Sequence, residues 1–252
     1  MKKILIALAS VVAMTSAVEA KEWDTIRVGV DAPYPPFEFK APDGTLTGFE
    51  IELGNEVCKE ITGKECDWVI QAWDGIIPGL LARKYDMIFS SMSINEERAK
   101  RVLFSDAYYT TPSAFFAPNG NGFDAANAKD KRVGVQRATI QDTYVTEFLS
   151  SSEVVRYTTA DDMVVDLKGG RLDAMFVDAP VGIDMLGDDA GISQSGGYVK
   201  EPIRIFGEGV GAAFRKRDTE LEDAVTAALA KIKENGTYDV IMKKYFDFDI
   251  KL

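Results

Sequence analysis

Apolar positions along the chain follow two spacings, which alternate from the first apolar run onward. "IRVGV" from Ile26, "CDWVI" from Cys66 and "YDMIF" from Tyr85 are short apolar runs, which are typical of buried strands. Between the first two runs, apolar residues recur at every fourth position from Phe49 to Ile61, which predicts an amphipathic helix. This order of elements predicts right-handed crossovers and a mostly parallel sheet flanked by helices.

A second helix is predicted for the stretch "WDGIIPGLLARK", between the second and third strands. Asp74 stands where an N-cap residue is expected, just before the apolar positions begin. Ile76, Ile77, Leu80 and Leu81 have the spacing of one helix face, and we expect that face to be buried.

The same order of elements recurs in the second half of the chain. "KRVGVQRATIQDTYVTEFL" from Lys131 predicts a strand, a loop and a helix, with Thr139 and Asp142 at capping-box spacing. "MVVDLKGGRLDAMFVDAP" from Met163 predicts a helix and a strand, and a last long helix begins near Asp218. The chain therefore consists of two similar α/β units, which we interpret as a pair of lobes.

The N-terminal segment has the three parts of a secretory signal. Lys2 and Lys3 form a basic start, an apolar run extends from Ile4 to Met14, and small residues occupy 18 and 20. A membrane anchor is the alternative, but the run is shorter than the ~20 residues that a bilayer requires. The residue directly after the cleavage position is not a cysteine, so no lipid attachment is expected. We expect the mature chain to be soluble and to lie outside the cytoplasm.

Composition excludes several classes of function. The net charge of −11 argues against nucleic acid or anionic lipid as a partner. The sequence contains no histidine, which removes Ser-His-Asp and Cys-His catalysis and every histidine-ligated metal site. We therefore expect no catalytic residue of these types, no metal and no cofactor.

Two cysteines, Cys58 and Cys66, lie close together in "CKEITGKEC". In an oxidising compartment such a pair indicates a disulfide, here between a helix end and the following strand. Two free buried thiols are the alternative. A metal site is not expected, because nothing nearby completes four ligands.

Polar and aromatic side chains follow the predicted strands of both units. In open α/β sheets, ligands bind beyond the carboxyl ends of the strands, so these side chains would face one cleft. The candidates are Asp31, Tyr34, Trp73, Ser90, Ser91, Ser93 and Arg98 from the first unit and Gln136, Arg137, Thr139, Gln141 and Asp178 from the second. The set lacks a nucleophile–base pair, and its carboxylates, arginine, hydroxyls and aromatic rings suit a small zwitterion.

Six motifs in order resemble the periplasmic substrate-binding proteins of ABC importers for polar amino acids, especially the lysine/arginine/ornithine- and histidine-binding ones. They are "DAPYPPFEF", "GFEIELGNEVC", "WDGIIPGL", "YDMIFSSMSINEER", "VGVQRATIQD" and "GRLDAMFVD". The resemblance implies the two-lobed type II periplasmic binding protein fold. It predicts a signal peptide at 1–20, a first lobe at 21–110 and 206–252, and a second lobe at 111–205. It further implies a periplasmic monomer that captures an amino acid by closing its lobes and delivers it to a membrane permease.

The resemblance also implies roles for the groups that every amino acid shares. Arg98 matches the arginine that pairs with the ligand's α-carboxylate through a planar fork. The peptide N–H groups at Thr139 and Ile140 begin a helix, whose end also favours that carboxylate. Asp178 matches the carboxylate that receives the α-ammonium, with the help of Ser91 or Ser93.

The distal part of the ligand is assigned in the same way. Tyr34 and Trp73 match aromatic residues that flank the ligand's side chain, and Asp31 matches the acid that meets a distal cation. Gln136 departs from the apolar residue that is common in this family, and Ile140 replaces a threonine that often contacts ligand. Arginine, lysine, ornithine and histidine all remain possible ligands, as do an opine or another guanidino compound.

Two other classes of protein share these lobes. Periplasmic dehydratases of prephenate-like acids bind a dianion, which Asp31 and Asp178 would repel, so an enzyme is disfavoured. Ligand-gated sensors need a tethering transmembrane segment, and no later stretch of this chain is apolar enough to supply one.

Overall fold

The computed structural model describes residues 23–187, 189 and 191–252. The predicted signal peptide lies outside these residues. The helices are α1 (Phe49–Thr62), α2 (Ile76–Leu81), α3 (Glu96–Ala99), α4 (Ile140–Phe148), α5 (Ala160–Lys168), α6 (Ala179–Leu186), α7 (Ile203–Phe206), α8 (Thr219–Glu234) and α9 (Thr237–Tyr245). The strands are β1 (Arg27–Val30), β2 (Phe39–Lys40), β3 (Leu46–Thr47), β4 (Asp67–Ile70), β5 (Met87–Ile88), β6 (Leu103–Phe104), β7 (Ser113–Pro118), β8 (Arg132–Gln136), β9 (Glu153–Tyr157), β10 (Ala174–Asp178), β11 (Ile192–Val199) and β12 (Ala213–Phe214).

The first large sheet has the strand order β4-β1-β5-β12-β6. β1 pairs in parallel with β4 and β5, as the strand–helix–strand pattern predicts. β12 comes from the C-terminal part of the chain and inserts between β5 and β6, antiparallel to both. The C-terminal segment therefore completes the sheet that the N-terminal segment begins.

The second sheet has the order β11-β7-β10-β8-β9. β8 pairs in parallel with β9 and β10, and β7 runs antiparallel to β10 and β11. Each sheet thus has a parallel core of three strands, to which two further strands are added through antiparallel pairing. The apolar pattern predicts the parallel strands β1, β4, β5, β8 and β10 but neither β9 nor the two additions, because pairing partners leave no local signal.

The chain passes between the two sheets twice, from β6 to β7 and from β11 to β12. The two passages lie side by side, since Tyr108 N–H donates to Val210 O at 2.9 Å and Val210 N–H donates to Tyr109 O at 2.8 Å. Both connections between the sheets therefore run through neighbouring backbone segments.

Helix α1 is the amphipathic helix that the four-residue spacing predicts. Phe49, Leu53 and Val57 are buried, and α1 packs against α8 and α9. The helix ends at Gly63, whose positive φ of 74° suits glycine. The disulfide between Cys58 and Cys66 is present and ties the end of α1 to the start of β4, which confirms the pairing predicted from their spacing.

Helix α2 differs from its prediction at two positions. Gly75 occupies the N-cap, and Asp74 belongs to a 3-10 turn at Trp73–Gly75 and makes no capping hydrogen bond. The turn moves the helix start one residue later than the apolar spacing suggests. Leu81 was expected to be buried but is 44% exposed, because the short helix ends there.

Among the described residues, no helix combines the length and the apolar character needed to cross a membrane. The same part of the chain contains no group of three or more aspartate, glutamate or cysteine side chains placed to hold a metal ion.

Candidate functional site

The carboxyl ends of the parallel strands from both sheets meet at one cavity. β1 ends directly before Asp31, and β8 and β10 end at Gln136 and Asp178. Gln136 Nε2 donates to Asp31 Oδ2 at 2.7 Å, which shows that the two edges face each other. This is the place at which open α/β sheets bind ligands.

The cavity between the two edges is narrow. Its lining includes every residue of the predicted ligand set: Asp31, Tyr34, Trp73, Ser90, Ser91, Ser93, Arg98, Gln136, Thr139, Ile140, Gln141 and Asp178. Arg137, which the sequence also placed at this edge, is exposed instead and forms an ion pair with Asp74 at 3.6 Å. The structure thus brings residues from both units together around one cavity.

Arg98 is held in place by contacts that leave part of its guanidinium facing the cavity. Nη1 donates to Ser93 O at 3.1 Å, and the guanidinium carbon lies 5.1 Å from the centre of the Trp73 ring. Asn95 caps α3 by accepting the Arg98 N–H, which fixes the residue on a short helix. Desolvation lowers the pKa of Arg98 to about 10, so the side chain is charged at neutral pH.

Asp178 comes from the second unit and is surrounded by neutral hydrogen-bond donors. Its Oδ2 accepts from the Tyr34 hydroxyl at 2.7 Å, and its Oδ1 accepts from Gln141 Nε2 at 2.8 Å and from Ser113 Oγ at 3.2 Å. Burial raises the pKa of Asp178 to about 6, against the opposing effect of these hydrogen bonds and of the Arg98 charge.

Asp31 is 8% exposed and also has a raised pKa, of about 6, because burial disfavours its charged form. Gln136 Nε2 donates to Asp31 and also to Thr158 O at 3.0 Å. Both amide hydrogens of Gln136 face acceptors, so its carbonyl oxygen must lie on the other side of the carboxamide.

Glu38 also lines the cavity, and the sequence interpretation missed it. Its two carboxyl oxygens accept from Ser90 Oγ at 2.7 Å and Ser91 Oγ at 3.2 Å, and the residue is 1% exposed. The available signal was an acidic residue between two phenylalanines in "PPFEF", a run that otherwise predicts burial.

A second buried acid, Glu50, contacts Ser91 but does not itself line the cavity. Its Oε1 accepts the Ser91 N–H at 3.0 Å and lies 2.9 Å from the Tyr109 hydroxyl, while Tyr108 donates to its Oε2 at 2.9 Å. Ser91 has a positive φ of 47°, which a residue with a side chain seldom adopts, and the Glu50 carboxyl supports that conformation.

Helix α4 begins at the cavity wall. Thr139 Oγ1 accepts the Asp142 N–H at 3.1 Å, as the capping-box spacing predicts. Asp142 does not return the bond to Thr139 but accepts the Ala138 N–H at 3.1 Å. Ala138, with a positive φ of 62°, in turn presents its carbonyl to Trp73 Nε1 at 3.1 Å, which is a contact between the two units.

Charges in the cavity favour a cationic ligand that also carries a carboxylate. Three carboxyl groups line it, from Asp31, Glu38 and Asp178, and among the described lining residues Arg98 is the one cation. A ligand with one carboxylate and two cationic groups carries a net positive charge and would offset part of the excess negative charge of the lining.

Comparison with known proteins identifies relatives over most of the chain. Residues 26–248 match the family described as bacterial extracellular solute-binding proteins, family 3. The L-arginine-binding protein of Pseudomonas aeruginosa is 41% identical over 232 residues, 89% of each chain. The lysine/arginine/ornithine-binding periplasmic protein of Escherichia coli is 38% identical over 259 residues, 99% of each chain.

Solved structures agree with the sequence relatives. A periplasmic binding protein of Salmonella typhimurium, studied for its high arginine specificity, superposes with a TM-score of 0.84 at 29% identity. The match covers 89% of this chain and 100% of that one. These findings confirm the resemblance inferred from the six motifs and the two-lobed α/β fold that it implies.

Proposed function

Because the chain belongs to family 3 of the bacterial extracellular solute-binding proteins, we propose that it captures a basic or polar amino acid and delivers it to the membrane permease of an ABC importer. The proposed ligands are arginine, lysine, ornithine and histidine. The proposed compartment is the periplasm. The residues at 1–20 would direct the chain there and would then be cleaved off.

One observation carries the proposal: Arg98 and Asp178 line the same cavity and come from different units. Arg98 supplies a charged planar fork for an α-carboxylate, and Asp178 supplies an acceptor for an α-ammonium. A zwitterion that binds both residues therefore holds the two units together. This is the physical basis of capture by closure, with 21–110 and 206–252 as one lobe and 111–205 as the other.

The distal end of the cavity favours a ligand with a basic side chain. Asp31 and Glu38 are both buried there, and neither has an ion-pair partner among the described residues. A ligand cation supplies the missing partner, and Tyr34 and Trp73 offer ring faces for the aliphatic stem and for cation–π attraction.

A catalytic alternative is disfavoured by the same charges. A prephenate-like acid would bring a second carboxylate against Asp31 and Glu38, which is unfavourable in a buried site. Opines and other guanidino compounds retain a cationic end and remain compatible with the cavity. We propose that the protein acts as a monomeric binding protein without cofactor.

A thermal-shift screen against a panel of amino acids tests the proposal. A ligand that binds only the folded protein stabilises it by ~2.7 kcal/mol at a hundredfold excess over its dissociation constant. We expect the melting temperature to rise with arginine, lysine, ornithine or histidine and to stay unchanged with glutamate and prephenate. A panel in which no amino acid shifts the transition contradicts the proposed function, and turnover of prephenate would establish the enzyme instead.

A further inference from the structure

Glu38 and Glu50 form a pair of buried acids without an ion-pair partner in the part of the chain that the structure describes. Glu38 is 1% exposed and Glu50 is fully enclosed, and burial raises the pKa of both, that of Glu50 to about 7. Among the described residues no lysine or arginine forms an ion pair with either carboxyl group. Two ionised carboxylates so close in a medium of low dielectric constant repel each other, and neither charge would be compensated.

Two hydroxyl groups connect the acids. Ser91 Oγ lies 3.2 Å from Glu38 Oε2, and the Tyr109 hydroxyl lies 2.8 Å from Ser91 Oγ and 2.9 Å from Glu50 Oε1. A hydroxyl can both donate and accept, so this chain of hydrogen bonds can be satisfied with a proton on either carboxyl group. The pair can therefore hold one proton without any rearrangement of heavy atoms.

Only one member of the pair is accessible to a ligand. Glu38 lines the cavity, whereas Glu50 does not. The other titratable groups around Glu38 are Asp31, Tyr34, Tyr108 and Tyr109, all of which are acids. Arg98 and Asp178 line the same cavity. The family resemblance assigns them to the α-carboxylate and the α-ammonium of the ligand.

We propose that Glu38, backed by Glu50, determines how this site responds to side-chain charge, an inference that rests on the proposed function. The pair shares one proton while the cavity is empty or holds a neutral side chain. When a cationic side chain binds, the proton leaves to solvent, and the ligand's charge takes its place beside Glu38.

The exchange keeps nearly constant the net charge of the two acids together with the proton or the ligand cation beside them. A protonated Glu38 can donate a hydrogen bond to the carbonyl of a neutral side chain, and an ionised Glu38 can accept from a guanidinium. Glu38 can thereby bind either a neutral or a cationic side chain, and the preference for the cation increases with pH. Linkage requires the affinity ratio of cationic to neutral ligand to rise up to about tenfold per pH unit while one proton is released.

Arginine and citrulline are a matched pair of probes, because they differ in guanidinium and ureido groups but share the α-groups and the stem. Calorimetric titration at about pH 8, in phosphate and in Tris, gives the number of protons released by each ligand. At that pH Asp31 and Asp178, with pKa values of about 6, are already ionised and contribute almost nothing. We expect arginine to release close to one proton more than citrulline.

Variants locate the source of the proton. Glu38→Gln should abolish the difference in proton release and reduce the preference for arginine over citrulline. Glu50→Gln should reduce the release, because Glu38 then ionises more readily in the free protein. Glu56→Gln, a change at a partly exposed position of the same helix α1, should leave both quantities as in the parent.

The outcomes separate this inference from the function on which it rests. Equal proton release by arginine and citrulline in the parent protein overturns the inference even if neither glutamate variant folds. Release that persists unchanged in a folded Glu38→Gln variant overturns it as well. Absence of binding heat with every amino acid contradicts the proposed function itself.

Discussion

The Tyr34 hydroxyl donates a 2.7 Å hydrogen bond to Asp178, a residue 144 positions further along the chain. The contact joins the loop after β1 to the end of β10, and so links the two sheets across the cavity. It also stabilises the ionised form of Asp178, which opposes the effect of burial on that carboxyl group. A ligand ammonium would join an arrangement that already bridges the two units.

Arg98→Ala should weaken every amino-acid ligand by a factor on the order of 10² or more. Removing one partner of a desolvated charge pair typically costs ~3–5 kcal/mol, because the other charge stays buried without compensation. Calorimetric titration with arginine and citrulline checks the effect. Arg101→Ala, a nearby exposed arginine, serves as control and should bind as the parent does. Retained affinity in Arg98→Ala would remove this residue from the α-carboxylate site.

Asp31→Asn should discriminate between ligands. The change keeps the shape and the acceptor for Gln136 Nε2 but removes the charge. Arginine or lysine should lose on the order of tenfold or more in affinity, whereas citrulline should be affected much less. Asp67→Asn, at an exposed position in β4, is the matched control. If Asp31→Asn binds arginine as tightly as the parent, the cation does not lie at Asp31.

The pH dependence follows from the raised pKa values of Asp31 and Asp178, each about 6 against an ordinary 3.8. Between these values the ligand-free fold binds more protons than the unfolded chain, so both groups contribute stability at low pH that is lost as pH rises through about 6. A cationic ligand favours the ionised carboxylates, so its affinity should fall as pH is lowered through about 6.

Thermal unfolding with and without arginine, at about pH 5 and about pH 7.5, measures this directly. We expect the ligand-induced rise in melting temperature to be larger at the higher pH. In Tyr34→Phe the midpoint of this dependence should move upward, because the phenol hydrogen bond lowers the pKa of Asp178. A ligand effect that is the same at both pH values would contradict the assignment.

Closure of the proposed lobes should make the protein more compact on binding. Small-angle scattering with and without a saturating ligand measures the radius of gyration, which we expect to decrease. The proposed hinges lie near Thr110 and Thr111 and near Ile205 and Phe206. An unchanged radius at saturation would mean that the ligand enters without relative motion of the lobes.

Trp73→Phe should speed ligand release, because the indole N–H donates to Ala138 O across the cleft. Loss of one such bond typically costs ~0.5–1.5 kcal/mol, which corresponds to a few-fold increase in the dissociation rate. Trp68→Phe is the matched control, since its indole donates to Asn55 Oδ1 within the first unit. Stopped-flow fluorescence or a displacement assay measures both rates, and equal rates would show that the Trp73 contact does not retain ligand.

Local sequence patterns determined many of the helices and strands of this protein, its disulfide and the edge at which its candidate site lies. Apolar spacing predicted α1, α4, α5 and α8 and the parallel strands β1, β4, β5, β8 and β10, although not β9. It did so because period and capping depend on residues that are near in sequence. The short spacing of Cys58 and Cys66 likewise predicted their disulfide. The rule that ligands bind at the carboxyl ends of parallel strands then placed the candidate residues at one edge, where the structure has them around one cavity.

Only the tertiary structure decided which distant groups meet. The insertion of β12 into the first sheet, the pairing of Gln136 with Asp31 and that of Arg137 with Asp74 join residues that no local pattern relates. No sequence motif marked Glu38 or Glu50, and only the packing of their segments connected the two acids through Ser91 and Tyr109. Burial and electrostatic interaction depend on the folded arrangement of many segments, so the charges that set the chemistry of this cavity were fixed by packing.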